Sequence, residues 1–139
     1  MKHRTYSSTM LALCGLVLMG MGLYFVFLRP PLLPEDLRFI GTSLSPVQIT
    51  APTLLTWLGR VFWVMGAFIF TSGLLTLYVA LTSFRMRARG VSGVITLVGF
   101  TSVGWMAGIN FLIDSDFKWF LLALAVLWGC ALVLFWFKK

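Results

Sequence analysis

Apolar residues are concentrated in four long runs, which cover residues 9–28, 61–81, 91–113 and 119–137. A run of about 20 apolar residues is long enough for a helix to cross the roughly 30 Å hydrocarbon core of a bilayer. Backbone inside lipid must satisfy its own hydrogen bonds, so each run is predicted to be a helix. The pattern predicts an all-α integral membrane protein that forms one domain over residues 1–139. Its four antiparallel transmembrane helices are predicted at residues 9–28, 52–84, 91–113 and 118–137.

The long connection between the first two helices is predicted to contain structure of its own. It covers residues 29–51, well beyond the usual length of a structureless loop. Pro34 is suited to the first turn of a helix, and the two acids that follow it favour the positive end of the helix dipole. Gly41 can end that helix. We therefore expect a short interfacial helix at Pro34–Ile40 on the outer membrane surface, with a further turn starting near Ser45.

Charged residues lie at the ends of the apolar runs and segregate by sign. One side holds only basic residues, namely Lys2, Arg4, Arg85, Arg87, Arg89, Lys138 and Lys139. The other side holds Arg29, Arg38, Arg60 and Lys118 together with all four acids, Glu35, Asp36, Asp114 and Asp116. Positive charge is enriched in cytoplasmic loops. Both termini are therefore predicted to be cytoplasmic, in a bacterial inner membrane.

The net charge alone would suggest nucleic acid as a partner, but the composition indicates membrane lipids instead. The chain is 60% apolar and 11% charged, whereas soluble domains are roughly 45–50% apolar and about 25% charged. The net charge of +7 comes from residues that flank apolar runs, so it indicates contact with membrane lipids and not with nucleic acid. The first run is too long for a secretory signal and lacks a small-residue cleavage site, so we expect it to be retained.

A polar pocket on the outer side is the first candidate site. Arg60 lies at the outer end of the second predicted helix, and Asn110 and Asp114 lie at the outer end of the third. Arg38 from the long loop completes the pocket, with Glu35 as a further acid. Charges this close to hydrocarbon need partners. The group either binds a ligand or forms a structural ion pair that holds the loop. Both interpretations predict a carboxylate within salt-bridge distance of Arg60.

Small residues define a second candidate site, a helix-packing or partner face. Gly104 and Gly108 have the spacing that lets two helix backbones approach closely. Ala125 and Gly129 repeat that spacing in the fourth helix. The face either packs within the bundle or contacts a partner, which would be a second copy of the chain or another membrane protein.

Groups suited to catalysis or to metal binding are scarce. The chain has four acids and one histidine, and it offers no Ser-His, Cys-His or metal-ligating set. We therefore predict no catalytic residue, no metal site and no cofactor. Cys14 and Cys130 are expected to be free, buried thiols, because neither lies on an oxidising face or in a redox motif. The indole N–H of Trp128 needs an acceptor, and the favoured interpretation is that Trp128 faces a neighbouring helix, with a pigment or quinone contact as the alternative.

These features favour a non-enzymatic accessory or assembly subunit of a larger membrane complex. The alternative is a protein that binds or transports a lipid or apolar small molecule through an inter-helix cavity with a polar outer mouth. An enzyme acting on a lipid-soluble substrate and a homo-oligomeric channel are further alternatives. The layout resembles that of small bacterial four-helix membrane families such as the DoxX-like proteins, and this resemblance in layout implies no functional residue.

Overall fold

The computed structural model describes residues 2–137, with side chains from residue 6 onward, and this part of the chain contains helices and no strand. The helices are α1 (Lys2–Phe27), α2 (Pro34–Ile40), α3 (Leu44–Thr50), α4 (Leu54–Val79, continued by a π-helical turn at Ala80–Phe84), α5 (Val91–Gly99, a π-helical turn at Phe100–Gly104, then Trp105–Leu112) and α6 (Lys118–Trp136). Four stretches are long and apolar enough to span a membrane, namely Tyr6–Phe27, Leu54–Phe84, Val91–Leu112 and Lys118–Trp136. The predicted all-α class with four candidate spans is confirmed.

Helix α1 is the element whose predicted bounds differ most from the structure. It begins at Lys2 and not at residue 9, because no proline or glycine precedes the apolar run to stop the helix. The orienting side chains of Lys2, Arg4, Lys138 and Lys139 lie outside the side chains that the structure describes.

The loop helix α2 has the bounds that the sequence predicts. Pro34 is its first residue, and the Asp36 carboxylate accepts a hydrogen bond from the backbone N–H of Leu33 at 2.7 Å. Gly41 ends the helix in the left-handed conformation, with φ of 75°, and the N–H of Thr42 donates back to the Leu37 carbonyl at 3.2 Å. A second short helix, α3, follows near the position where a turn was predicted.

Helices α1 and α4 make the closest backbone contact in the bundle, through glycines. A Cβ built on Gly15 would lie 2.8 Å from the Gly73 carbonyl oxygen, and one built on Gly22 would lie 2.6 Å from that of Gly66. The residue numbers rise along α1 as they fall along α4. Each helix spaces its two glycines seven residues apart, so both glycines face the same neighbour.

The buried positions follow two different periods. Helix α6 buries residues at alternating steps of three and four, namely Leu121, Leu124, Trp128 and Ala131, and α1 buries a broader stripe that includes Leu11, Ala12, Cys14, Gly15, Leu18 and Gly22. Helix α5 instead buries every fourth residue, namely Val91, Ile95, Gly99, Val103 and Ala107. Such a stripe would drift by about 40° per step around a regular α-helix. The π-helical turn at Phe100–Gly104 holds more residues per turn and keeps the stripe against α6.

One end of the bundle, which we call the arginine end, is closed by contacts among α1, the π-helical turn of α4 and α6. The Ser8 hydroxyl donates to the Ala80 carbonyl at 2.5 Å. The Phe84 and Phe135 rings lie 4.5 Å apart between centroids. Arg87 takes a left-handed conformation, with φ of 55°, and its guanidinium lies 4.8 Å from the Phe135 ring centroid.

Trp128 joins α6 to α5 in the middle of the bundle. It is buried, and its indole N–H donates to the Ile95 carbonyl at 3.1 Å. The ring occupies the space beside Gly99, where a Cβ would clash with the indole. The prediction that Trp128 faces a neighbouring helix is therefore confirmed.

Candidate functional site

Two residues of the predicted outer pocket, Arg38 and Asp114, lie on one shallow, exposed patch. The Arg38 guanidinium donates to the Asp116 carboxylate at 2.8 Å, and Lys118 pairs with Asp114. The ion pair raises the pKa of Arg38, and Lys118 lowers the pKa of the Asp114 carboxyl. Asp114 therefore favours the folded state at neutral pH, and this contribution is lost as the pH falls through its lowered pKa.

Arg60 does not join this group, so its predicted ion pair is wrong. Its guanidinium lies 4.8 Å from the Trp63 ring centroid, one turn further along α4. Arg60 is exposed, and no described carboxylate lies within salt-bridge distance of it. Helix α4 packs chiefly on α1 and not on α5. Arg60 and the end of α5 can therefore lie at the same depth in the bundle without being in contact.

Asn110 and Glu35 are the members of the predicted pocket that line a larger cavity. The Asn110 side-chain N–H donates to the Met106 carbonyl of its own helix at 2.9 Å. The cavity has a volume of about 790 Å³ and lies among all four long helices. Twenty residues line it, six of them aromatic, and its charged residues come from the chain between α1 and α4.

The walls of the cavity are apolar and belong to different helices. Helix α1 contributes Gly20 and Met21, and α6 contributes Leu121. Helices α4 and α5 contribute Phe62, Met65, Ile69, Trp105, Met106, Ile109 and Asn110, and Ile113 lies just after the end of α5.

The exposure of lining residues on α4 and α5 indicates that the cavity opens between these two helices. These two helices have their main contact at the arginine end, where Ala80–Phe84 lies against the start of α5. Further along, the lining residues Met65, Trp105 and Ile109 are 42%, 65% and 40% exposed. The opening therefore faces the space that lipid occupies around a membrane protein.

Arg29 is a site residue that the sequence reasoning missed. Its side chain is only 8% exposed, and it pairs with Asp36 at 3.0 Å and donates to the Pro30 carbonyl at 3.0 Å. The guanidinium lies 3.5 Å from the centroid of the Phe62 ring on α4. In the sequence, Arg29 stands between an apolar run and two prolines and reads only as the end of a helix. No periodicity points to its contact with Phe62, which lies 33 residues away.

Glu35 fixes the loop to the turn between α5 and α6, and we call this the loop end of the bundle. Glu35 is 7% exposed and lines the cavity. Its carboxylate accepts hydrogen bonds from the Ser115 hydroxyl at 3.0 Å and from the backbone N–H of Asp116 at 2.7 Å. Asp114, in the left-handed conformation with φ of 51°, lies in the turn that presents these donors.

The predicted glycine face has open space beside it. A Cβ on Gly108 or Gly129 would meet no atom within 4 Å, and one on Gly104 would meet only the Gly99 carbonyl oxygen of its own helix, at 3.4 Å. Ala125 is half-buried and packs against the core. The glycines therefore do not pack against another helix of this bundle, and close packing is provided by the glycines of α1 and α4.

The two cysteines and the potential metal ligands do not form a binding site in the part of the chain that the structure describes. Neither cysteine forms a disulfide, and Cys14 is buried, but the prediction that both are buried is wrong for Cys130, which is exposed. Among the described residues, no three His, Cys, Asp or Glu side chains are placed to hold one metal ion. No protein-family model, curated protein or solved structure matches the chain.

Proposed function

We propose that this chain is a membrane protein that binds a lipid or another apolar small molecule in the cavity between its four long helices. One observation carries the proposal, namely an apolar cavity of about 790 Å³ with polar groups at one end. Ligand pockets typically measure about 300–1,000 Å³ and combine apolar walls with a few polar groups. The role is one of binding or transport and not of enzymatic catalysis.

The proposal includes the orientation of the chain. The four helices span a bacterial inner membrane antiparallel to one another, with the turn at residues 85–89 and both termini in the cytoplasm. Two observations support this. The glycine contacts pair α1 and α4 in reverse order, and all four acids lie away from the arginine end.

The two loop helices lie at the outer membrane interface in this proposal. Phe39, Ile40 and Ile49 are 65%, 57% and 81% exposed, although they are large and apolar. Exposed apolar groups beside a polar loop suit the boundary between head groups and acyl chains. The loop then covers the polar end of the cavity, while the opening between α4 and α5 gives a lipid-soluble ligand access from the bilayer.

Native mass spectrometry of the protein extracted in mild detergent tests the function. Gly20 lines the cavity and has no atom within 4 Å of a built Cβ, so the side chain of Gly20→Leu should start without a backbone clash and reduce the cavity volume. Gly93→Leu is the matched control, since Gly93 is also exposed, helical and free of neighbours but does not line the cavity. We expect wild type and Gly93→Leu to retain bound ligand and Gly20→Leu to lose it. Equal retention by all three proteins would contradict the proposal.

An accessory or assembly subunit is the second candidate function. The open space beside Gly108 and Gly129 favours it, because a partner helix could approach the backbone there. The partner would be a second copy or another membrane protein. The same spectra test this, since Gly108→Leu should then release a stoichiometric partner that Gly93→Leu retains.

A further inference from the structure

Glu35 differs from the other acids in having no described salt-bridge partner, although the charge of Arg38 acts on it from a longer distance. Three of the four described acids form ion pairs, namely Asp36 with Arg29, Asp116 with Arg38 and Asp114 with Lys118. Glu35 is more than nine-tenths buried and has no described cation within salt-bridge distance. A buried charge without a counter-charge is unfavourable.

The hydrogen bonds to Glu35 orient its carboxylate without cancelling its charge. Both donors, the Ser115 hydroxyl and the backbone N–H of Asp116, are neutral. Each carboxylate oxygen has two lone pairs and here accepts one hydrogen bond, so each can accept another. The carboxylate is therefore held rigidly at the cavity with acceptor capacity to spare.

The lining of the cavity is suited to a cation on an apolar body. One cation, Arg29, and two anions, Glu35 and Asp36, line it, so its formal charge is −1. Six of its twenty lining residues are aromatic. Aromatic faces attract cations, most strongly where water is excluded.

We propose that the cavity binds an amphiphile with a cationic head group, which pairs with Glu35 while its apolar body lies between α4 and α5. This inference rests on the proposed function and names the ligand class for the same cavity. An anionic head group would meet a carboxylate that has no salt-bridge partner, so it binds more weakly. The cation could belong to an amine-bearing lipid or to a free lipophilic cation.

Two ions of the same shape and opposite charge test the sign preference. Tetraphenylphosphonium and tetraphenylborate each carry four phenyl rings, and their binding to protein in phosphatidylcholine nanodiscs can be corrected with empty nanodiscs. We expect the wild-type protein to bind the cation about tenfold or more tightly than the anion. Glu35→Gln should lose this preference. Asp116→Asn makes the same charge change at an exposed pair outside the cavity and should keep it.

A further variant separates the charge of Glu35 from its role in holding the loop. Ser115→Ala removes one hydrogen bond to the carboxylate and leaves the charge in place. It should keep the preference for the cation. Loss of the preference in Ser115→Ala to the same degree as in Glu35→Gln would overturn the inference, because the position of the loop would then explain both results.

The source of the cation follows from a comparison of two lipids with identical acyl chains. Phosphatidylethanolamine carries an ammonium group and phosphatidylglycerol does not. If the protein retains more phosphatidylethanolamine than phosphatidylglycerol, and this excess depends on Glu35, the ligand is a lipid. If the protein prefers only the phosphonium ion, the ligand is a free lipophilic cation. Binding that Gly20→Leu abolishes but that shows no sign preference overturns this inference and leaves the proposed function standing. If the wild-type protein binds neither ion and neither lipid more than the Gly20→Leu variant does, the proposed function itself is contradicted.

Discussion

At the scale of single residues, two pairs of glycines decide how closely α1 and α4 approach. A methyl group on Gly22 would lie 2.5 Å from the backbone nitrogen of Phe70, which is closer than real contacts allow. Gly20 is on the same helix two residues earlier and has no neighbour within 4 Å. The same residue type therefore serves packing at one position and cavity volume at the other.

We predict that Gly22→Ala lowers the free energy of unfolding by about 1–3 kcal/mol, the usual cost of overpacking. Gly20→Ala is the matched control, and it should stay within about 0.5 kcal/mol of the wild-type protein. Thermal unfolding of both variants in the same detergent measures the difference. Equal stability of the two variants would mean that α1 and α4 do not meet through Gly22.

Residue identity alone could not separate these two roles. The sequence shows glycines at positions 15, 20 and 22 in α1, and the closely spaced pair at Gly104 and Gly108 has the more familiar motif. In the structure the seven-residue spacing forms the close contact and the familiar motif has open space beside it. A glycine motif indicates that a second helix can approach closely. It does not identify that helix, because the partner depends on which helices are neighbours in the bundle.

At the scale of elements, the loop between α1 and α4 is held by a few contacts of unequal value. The buried Glu35 carboxylate accepts two hydrogen bonds from the turn between α5 and α6. The pair of Arg38 and Asp116 joins the same two segments, but its side chains are 58% and 63% exposed. Exposed ion pairs contribute little because solvent screens the charges, whereas hydrogen bonds to charged groups contribute about 1.5–3 kcal/mol.

We therefore predict that Ser115→Ala destabilises the loop more than Arg38→Ala does. The first change should raise the rate of proteolytic cleavage within residues 29–51 by about tenfold, which corresponds to about 1.4 kcal/mol. The second should change it by less than about fivefold. Cleavage kinetics at a low protease concentration measure both, and faster cleavage of Arg38→Ala would reverse this ranking of the two contacts.

The local elements were predictable because their signals are local. Three local features define α2 from the sequence, namely Pro34 at its start, the Asp36 carboxylate that accepts from the Leu33 N–H, and Gly41 at its end. The contact of Glu35 with Ser115 joins residues 80 positions apart, and that of Arg29 with Phe62 joins residues 33 positions apart. Both depend on which helices are neighbours, which apolar runs do not encode. The Arg60 prediction failed for the same reason.

At the scale of the whole molecule, helix order places the cavity. Helix α1 packs on both α4 and α6, and α6 packs on α5, so α4 and α5 are left facing each other across the space between them. The turn at residues 85–89 keeps their ends together at the arginine end. The cavity therefore lies between these helices, and its charged lining residues come from the chain between α1 and α4.

The proposed orientation predicts which end of the bundle reacts with reagents outside the cell. Single cysteines replace Arg87 and Asp116 in a background without Cys14 and Cys130. A membrane-impermeant thiol reagent should label position 116 in intact cells and position 87 only after the membrane is opened. Labelling of position 87 in intact cells would reverse the orientation.

The central claim is that the cavity holds an apolar ligand with its polar end near Arg29 and Glu35. A crystal structure of the wild-type protein grown from a lipid mesophase tests this most directly. We predict elongated non-protein density between α4 and α5 that ends beside these two side chains. Contact of α4 with α5 along their full length, with no space and no density between Phe62 and Ile109, would contradict it.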